Sequence, residues 1–146
     1  RVDRRQRQMC IRDRSGAGAL KQILIDSGVS NYIGSLLEES LISPLILAWL
    51  IATVIRVCVG SATVAGLTAA GIVLPLISSS DVSPELMVLA IGSGSLMLSH
   101  VNDAGFWLFK EYFNLTVKET LSTWTVMETI VGITGLIGVL ILNVFI

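Results

Sequence analysis

Long apolar runs separated by short polar groups organise this chain. Between Leu41 and Ser80 the one formal charge is Arg56, and from Thr129 to Ile146 there is none. A helix spanning Leu41 to Ile77 would measure about 55 Å at a rise of about 1.5 Å per residue, too long for one crossing of a hydrocarbon layer about 30 Å thick. That run must therefore break or fold back. The small residues Gly60-Ser61-Ala62-Thr63 mark the place, and Gly66, Ala69, Ala70 and Gly71 suit close helix approach beyond it. Pro75 is expected to end or kink the following stretch. Ser78 to Pro84 reads as a polar turn, with Ser83 as N-cap and Pro84 as first helical residue.

From Pro84 the next apolar run reaches about Ser99, short of the roughly 20 residues that a crossing needs. It stops at Ser99-His100-Val101-Asn102-Asp103-Ala104-Gly105 and resumes at Phe106-Trp107-Leu108-Phe109. An apolar helix interrupted by His, Asn, Asp and Gly and then continued has the pattern of a discontinuous transmembrane helix. The aromatic group with Lys110 fits an interfacial belt. A last segment, about Trp124 to Ile146, is long enough to cross once, and Gly132, Gly135 and Gly138 form a small-residue packing stripe on it. Near the start, Gly16 to Leu37 mixes apolar residues with charges, and Asp26-Ser27-Gly28 divides it into two short helical stretches.

Composition agrees with a membrane setting. Of 146 residues 53% are hydrophobic and 14% charged, and the mean hydropathy is +0.78; an ordinary soluble domain carries about 25% charged residues. A net charge of -1 without a basic stripe in the body of the chain excludes a nucleic-acid surface. Cys10 and Cys58 have neither metal-ligand nor disulfide spacing, so no metal and no cofactor is expected. Residues 1–15, RVDRRQRQMCIRDRS, carry six arginines in fourteen positions with no apolar run behind them. They read as an artefactual or non-native leader, and 16–146 as the C-terminal membrane domain of a longer protein; the other reading of the leader is a basic arm that meets anionic lipid.

The two breaks are where chemistry is expected. Irregular backbone survives at membrane depth only when buried in protein or lining a wet cavity. Each break exposes helix-end N–H groups and carbonyls, which bind an anionic group and its coupling cation. Gly60, Ser61 and Thr63 at the first break, and Ser99 and Asn102 at the second, are the candidate substrate-binding residues. His100 and Asp103 are the candidates for proton coupling, since an intramembrane carboxylate is costly and tends to mark function. Arg56 either snorkels to the interface or serves as charge partner to Asp103 or to a substrate carboxylate. Ser61 and Thr63 have a plainer reading as hydroxyls bonded to the carbonyl one turn back. The H-V-N-D string lacks the nucleophile or ligand set of an enzyme, so no enzyme is expected.

Three stretches carry a family resemblance: GAGALKQILIDSGVSNYIGSLLEES, LAWLIATVIRVCVGSATVAGLTAAGIVLPLI and PELMVLAIGSGSLMLSHVNDAGFWLFKEYFNLT. Over Gly16 to Ile146 the chain resembles the C-terminal part of the gluconate permeases, which are gluconate:proton symporters of the bacterial inner membrane and are similar to a wider ion-transporter superfamily. The resemblance implies an all-α, multi-pass integral membrane fold, one repeat of an inverted-repeat transporter, with a re-entrant or broken hairpin and a discontinuous helix. It implies a sugar acid and a proton as partners, a lipid bilayer around the chain and a missing N-terminal repeat; a homo-oligomer is compatible with it. In the wider group a Ser-Asn-Thr-like hairpin tip cradles substrate. Gly60-Ser61-Ala62-Thr63 would occupy that place, with Ala62 where the signature has Asn, a departure that tells against cation ligation of the sodium-coupled kind. Alternatives are a carrier of another small carboxylate and a structural membrane subunit that does not transport.

Overall fold

The computed structural model describes residues 42–79 and 82–145, with isolated positions between 15 and 32. Residues 1–14, which hold most of the expected leader, lie outside the described residues. All regular structure among the described residues is helical. Within the first apolar segment Gly28 takes a left-handed φ of +73° in a turn with Ser27, where the stop at Asp26-Ser27-Gly28 was expected.

The long apolar run divides at the expected position. Helix α1 spans Pro44–Val59, Gly60 caps it with φ +75°, and α2 spans Ala62–Ser79. A left-handed residue ends a helix cheaply only when it is glycine, and here space imposes the same choice: a Cβ on Gly60 would lie 2.3 Å from the Asn102 carbonyl oxygen. The α2 helix runs through Pro75 to Ser79 instead of ending at the proline. A missing N–H removes one rung, and helices in apolar surroundings tolerate that when neighbouring groups satisfy the freed carbonyl. Helices α1 and α2 pack along each other as a helical hairpin.

Helix α3 spans Pro84–Gly94, with Ser83 Oγ accepting from the Leu86 N–H at its start, as the sequence predicts. Its end comes earlier than Ser99. The chain leaves the helix at Ser95 through tight turns, Leu96 N–H to Ser93 O and Met97 N–H to Gly94 O, and Leu98 adopts φ +49°. Helix α4, Ala104–Tyr112, follows the interruption, so the helical stretches on either side of it stand further apart than the sequence predicts.

The last apolar segment also starts earlier than Trp124. A capping box of Thr116 and Glu119 opens α5, Val117–Thr120, which continues through a π-helical turn, Leu121–Thr125, into α6, Val126–Phe145. Together they make one 29-residue apolar element, the one helix among the described residues long and apolar enough to cross a membrane. Asn114 precedes it at φ +51°, so Asn114 and Thr116 serve as turn and cap residues.

Small residues draw the helices together. Ala48, Ala52, Ala69 and Ala90 are fully buried beside Leu45, Val73, Leu86, Met87 and Ile91. At the crossing of α1 and α3 a Cβ on Gly94 would meet the Trp49 carbonyl oxygen at 2.4 Å. Thr53 Oγ1 donates to the Trp49 carbonyl one turn back at 2.8 Å. Helix α6 joins through Gly132, which lies against Met97 and Ser93, and Gly135, which lies against Ser93. The Trp49 indole N–H donates to the Gly132 carbonyl at 3.1 Å. Gly138, expected in the same stripe, meets nothing within 4 Å at its Cβ direction, because the contact face leads to Val139 instead. The opposite face of α6, with Val126, Ile130, Ile133, Ile137 and Ile141, is exposed and apolar.

Gly60→Ala is expected to destabilise the hairpin by about 1–3 kcal/mol, from the left-handed φ and the contact with Asn102, and Gly92→Ala, with open space at its Cβ, by less than about 0.5 kcal/mol. Thermal unfolding of the two purified variants in detergent checks the difference; equal losses would contradict it.

Candidate functional site

The two breaks meet. Helix α1 ends on carbonyls with no partner in the helix, and Asn102 Nδ2 from the second break donates to one of them, Val57 O, at 2.8 Å. The Gly60 N–H closes on Arg56 O at 2.9 Å. Because Gly60 has no side chain, the Asn102 backbone lies directly against it. A cavity of about 350 Å³ remains between them, lined by Val59, Gly60, Ser61, Ala62, Thr63, Asn102, Asp103 and Ala104.

The second break is held carbonyl by carbonyl. His100 Nδ1–H donates to Leu98 O at 2.7 Å, which leaves Nε2 as the open ring nitrogen. The Thr125 hydroxyl donates to Ser99 O. The Asp103 N–H closes on His100 O at 2.9 Å, and Trp107 Nε1–H on Val101 O at 2.7 Å. Four successive carbonyls thus have partners, as backbone shielded from water requires.

Asp103 is the node of this loop. It caps α4 by accepting from the Gly105 N–H at 2.9 Å, receives the Ser99 hydroxyl and pairs with Arg56 Nη2 at 2.6 Å. Arg56 is 3% exposed, and the contact it makes is this ion pair. Its Nε and Nη1 have no partner among the described residues, although a guanidinium offers five N–H donors in a fixed fork.

Of the sequence-predicted residues, Gly60, Ser61, Thr63, Asn102 and Asp103 line one cavity. Ser61 does not bond back along a helix: its Oγ lies 3.4 Å from the Val64 N–H, in the N-cap position of α2. Thr63 is exposed on the cavity wall. Ser99 is buried behind Asp103 and reaches the site through it. His100 sits on the loop, half-buried, outside the cavity lining.

Three residues of the neighbourhood escaped the sequence reading: Trp124, Thr125 and Glu128. Trp124 Nε1–H donates to Ser99 Oγ at 2.7 Å, and Thr125 holds the Ser99 carbonyl. The π turn carries both, and such turns recur at functional sites. Glu128 was visible as the last charge before an uncharged run of eighteen residues. Among the described residues no group of three or more His, Cys, Asp or Glu could hold a metal ion.

Asp103→Asn alone strands a buried guanidinium and is expected to destabilise the fold by about 3–5 kcal/mol, whereas Arg56→Met with Asp103→Asn recovers most of that loss. Unfolding of the single and double variants in detergent checks this; a double variant no more stable than the single would contradict it.

Comparison with known proteins adds the family. The model of the GntP family permeases matches residues 11–145, beginning inside the stretch read as leader. The chain is 60% identical over 131 residues to a high-affinity gluconate transporter of Escherichia coli (strain K12), covering 90% of this chain and 30% of the relative. It is 58% identical over 129 residues to the Gnt-II system L-idonate transporter of the same organism, covering 88% and 29%. A gluconate permease of Bacillus subtilis (strain 168) is 55% identical over 128 residues, covering 88% and 29%. The chain thus spans about 30% of the length of the curated relatives it matches. No solved structure matches. With nearly the whole chain matched, this membrane protein belongs to the GntP family of permeases.

Proposed function

We propose that this segment supplies part of the substrate site of a secondary carrier that moves gluconate or a related sugar acid across the bacterial inner membrane together with protons. One observation carries the reading: the N-termini of α2 and α4 open onto a single cavity lined by both helix breaks. A helix N-terminus presents N–H donors and partial positive charge to an anion. Two of them facing one space, with the hydroxyls of Ser61 and Thr63 on its wall, suit a carboxylate that carries many hydroxyls. The printed names of the relatives, gluconate and L-idonate transporters, agree with that chemistry.

In this reading Gly60, Ser61, Thr63 and Asn102 contact the sugar acid, and Ser99 holds the second break in shape. Arg56 is the charge partner, and the ionisable His100 and Asp103 exchange protons. Helix α1, 16 residues, is about 24 Å long, less than the hydrocarbon thickness of about 30 Å, which suits a re-entrant hairpin with its tip at Gly60. Residues 16–146 then form the C-terminal repeat of a multi-pass carrier, and an opposing repeat completes alternating access.

The test is uptake of labelled gluconate by the intact permease carrying this segment, in bacteria lacking other gluconate carriers. Ser61→Ala and Thr63→Ala are each expected to raise the KM about tenfold or more, the effect of losing a hydrogen bond to a charged ligand. Asp103→Asn and His100→Ala are expected to lower proton-driven uptake per molecule of permease in the membrane. Normal uptake and coupling in both of the latter would refute their assignment.

A further inference from the structure

Glu128 stands in the first turn of α6, on the same face as Trp124, Thr125 and Gly132. That face is fixed to the second break on both sides of it. Trp124 and Thr125 bond Ser99, and one turn beyond Glu128, Gly132 lies on Met97 and Ser93. Residues three and four apart share a helix face, so Glu128 is carried between two anchors to one loop. It is half-buried, and Trp124, one turn before it, leads through Ser99 to Asp103 and so to Arg56. It makes no ion pair and no side-chain hydrogen bond among the described residues, while Arg56 nearby keeps two buried nitrogens without partners.

The remaining ionisable groups are few. Arg56 faces this region from α1, and Asp103 and His100 come from the break. Among the described residues, helix α3 contributes Glu85, at the end remote from Ser93, and α4 contributes Lys110 and Glu111, paired with each other at 2.8 Å. Lys118 and Glu119 lie more than two turns earlier along the same apolar element as Glu128. Arg56 and Asp103 balance each other, which leaves an ionised Glu128 as the uncompensated charge. A carboxylate arriving in the cavity beside the Arg56–Asp103 pair would add to that negative charge in apolar surroundings, where like charges strongly disfavour one another. A proton on Glu128 removes the conflict, and the net charge of the site is then the same empty and loaded.

We propose that Glu128 is a further proton-exchanging residue of this site, protonated when a carboxylate substrate enters the cavity beside the Arg56–Asp103 pair and ionised when that substrate leaves. The inference rests on the sugar-acid reading above. The Glu128 carboxylate takes its proton from water on the loading side and returns it to water on the release side, and no bond to substrate is made or broken. Substrate and proton then favour each other's binding reciprocally.

The experiment uses membrane vesicles containing the intact permease, with gluconate as probe. Accumulation driven by an imposed proton gradient is compared with gluconate–gluconate counterflow across the pH range. Glu128→Gln is expected to lose accumulation by about tenfold or more, a coupling of ordinary size, while counterflow persists with a flattened pH dependence. Glu128→Asp is expected to keep accumulation with a displaced pH profile. Wild-type accumulation and pH dependence in Glu128→Gln would overturn the proposal. So would loss of both activities in Glu128→Gln at normal membrane abundance, which marks a structural role. Should Glu128→Gln fail to reach the membrane, an unchanged pH profile in Glu128→Asp overturns it and a displaced one supports it. Absence of gluconate accumulation and counterflow in the wild-type permease instead defeats the sugar-acid reading itself.

Discussion

Everything near the cavity depends on one constraint: backbone groups released by a broken helix must find partners without water. Two breaks would double that demand, and here each supplies what the other lacks. Asn102 covers a carbonyl at the end of α1, and Gly60 makes room for the Asn102 backbone. Asp103 caps α4 and neutralises Arg56 from the last turn of α1 in the same act. A cation near a helix C-terminus and an anion at a helix N-terminus each sit where the helix dipole favours them. The ion pair therefore joins two helix ends that are individually suited to its members, which offsets part of the desolvation that buried pairs suffer.

The same constraint explains what the sequence disclosed. The break at Gly60 was legible because a run from Leu41 to Ile77 exceeds a bilayer and only one cluster of small residues divides it well. The second break was legible because His100, Asn102 and Asp103 stand among apolar neighbours. Their outlines shifted, since the helix before the second break ends at Ser95, where no polar residue beyond a serine marks the change. The early start of the last helix was also written in the chain, as Thr116 with Glu119 three residues on, a capping box.

Contacts across the fold were not legible. Ser99 meets Trp124 and Thr125 from twenty-five and twenty-six residues away, and nothing local specifies that register. It is set by Gly132 and Gly135 seating against Ser93 and Met97, together with a π turn that rotates the residues before it relative to those after. The glycine stripe could be read as a packing surface, but not which helix it packs on, nor that Gly138 falls outside the contact. Glu128 is illegible in the sequence for a related reason. A lone carboxylate acquires meaning only when the fold shows which charges surround it.

Packing of this kind also separates what is rigid from what is free to respond. Gly94 seats on the Trp49 backbone and Gly132 on the Ser93 carbonyl and the Met97 side chain, while the Trp49 indole ties α1 to α6, so little space is left between these helices for a relative shift. The loop carbonyls from Leu98 to Val101 are all engaged. Helices and loop therefore form one stiff body, whose spare capacity for interaction lies in a few groups: the hydroxyls of the α2 start, two nitrogens of Arg56 and the Glu128 carboxylate. In the proposed carrier the substrate and proton would act on those groups while the scaffold keeps its shape. Larger movements then belong to the surfaces this body presents outward, as in rigid-body rocking of one repeat against another.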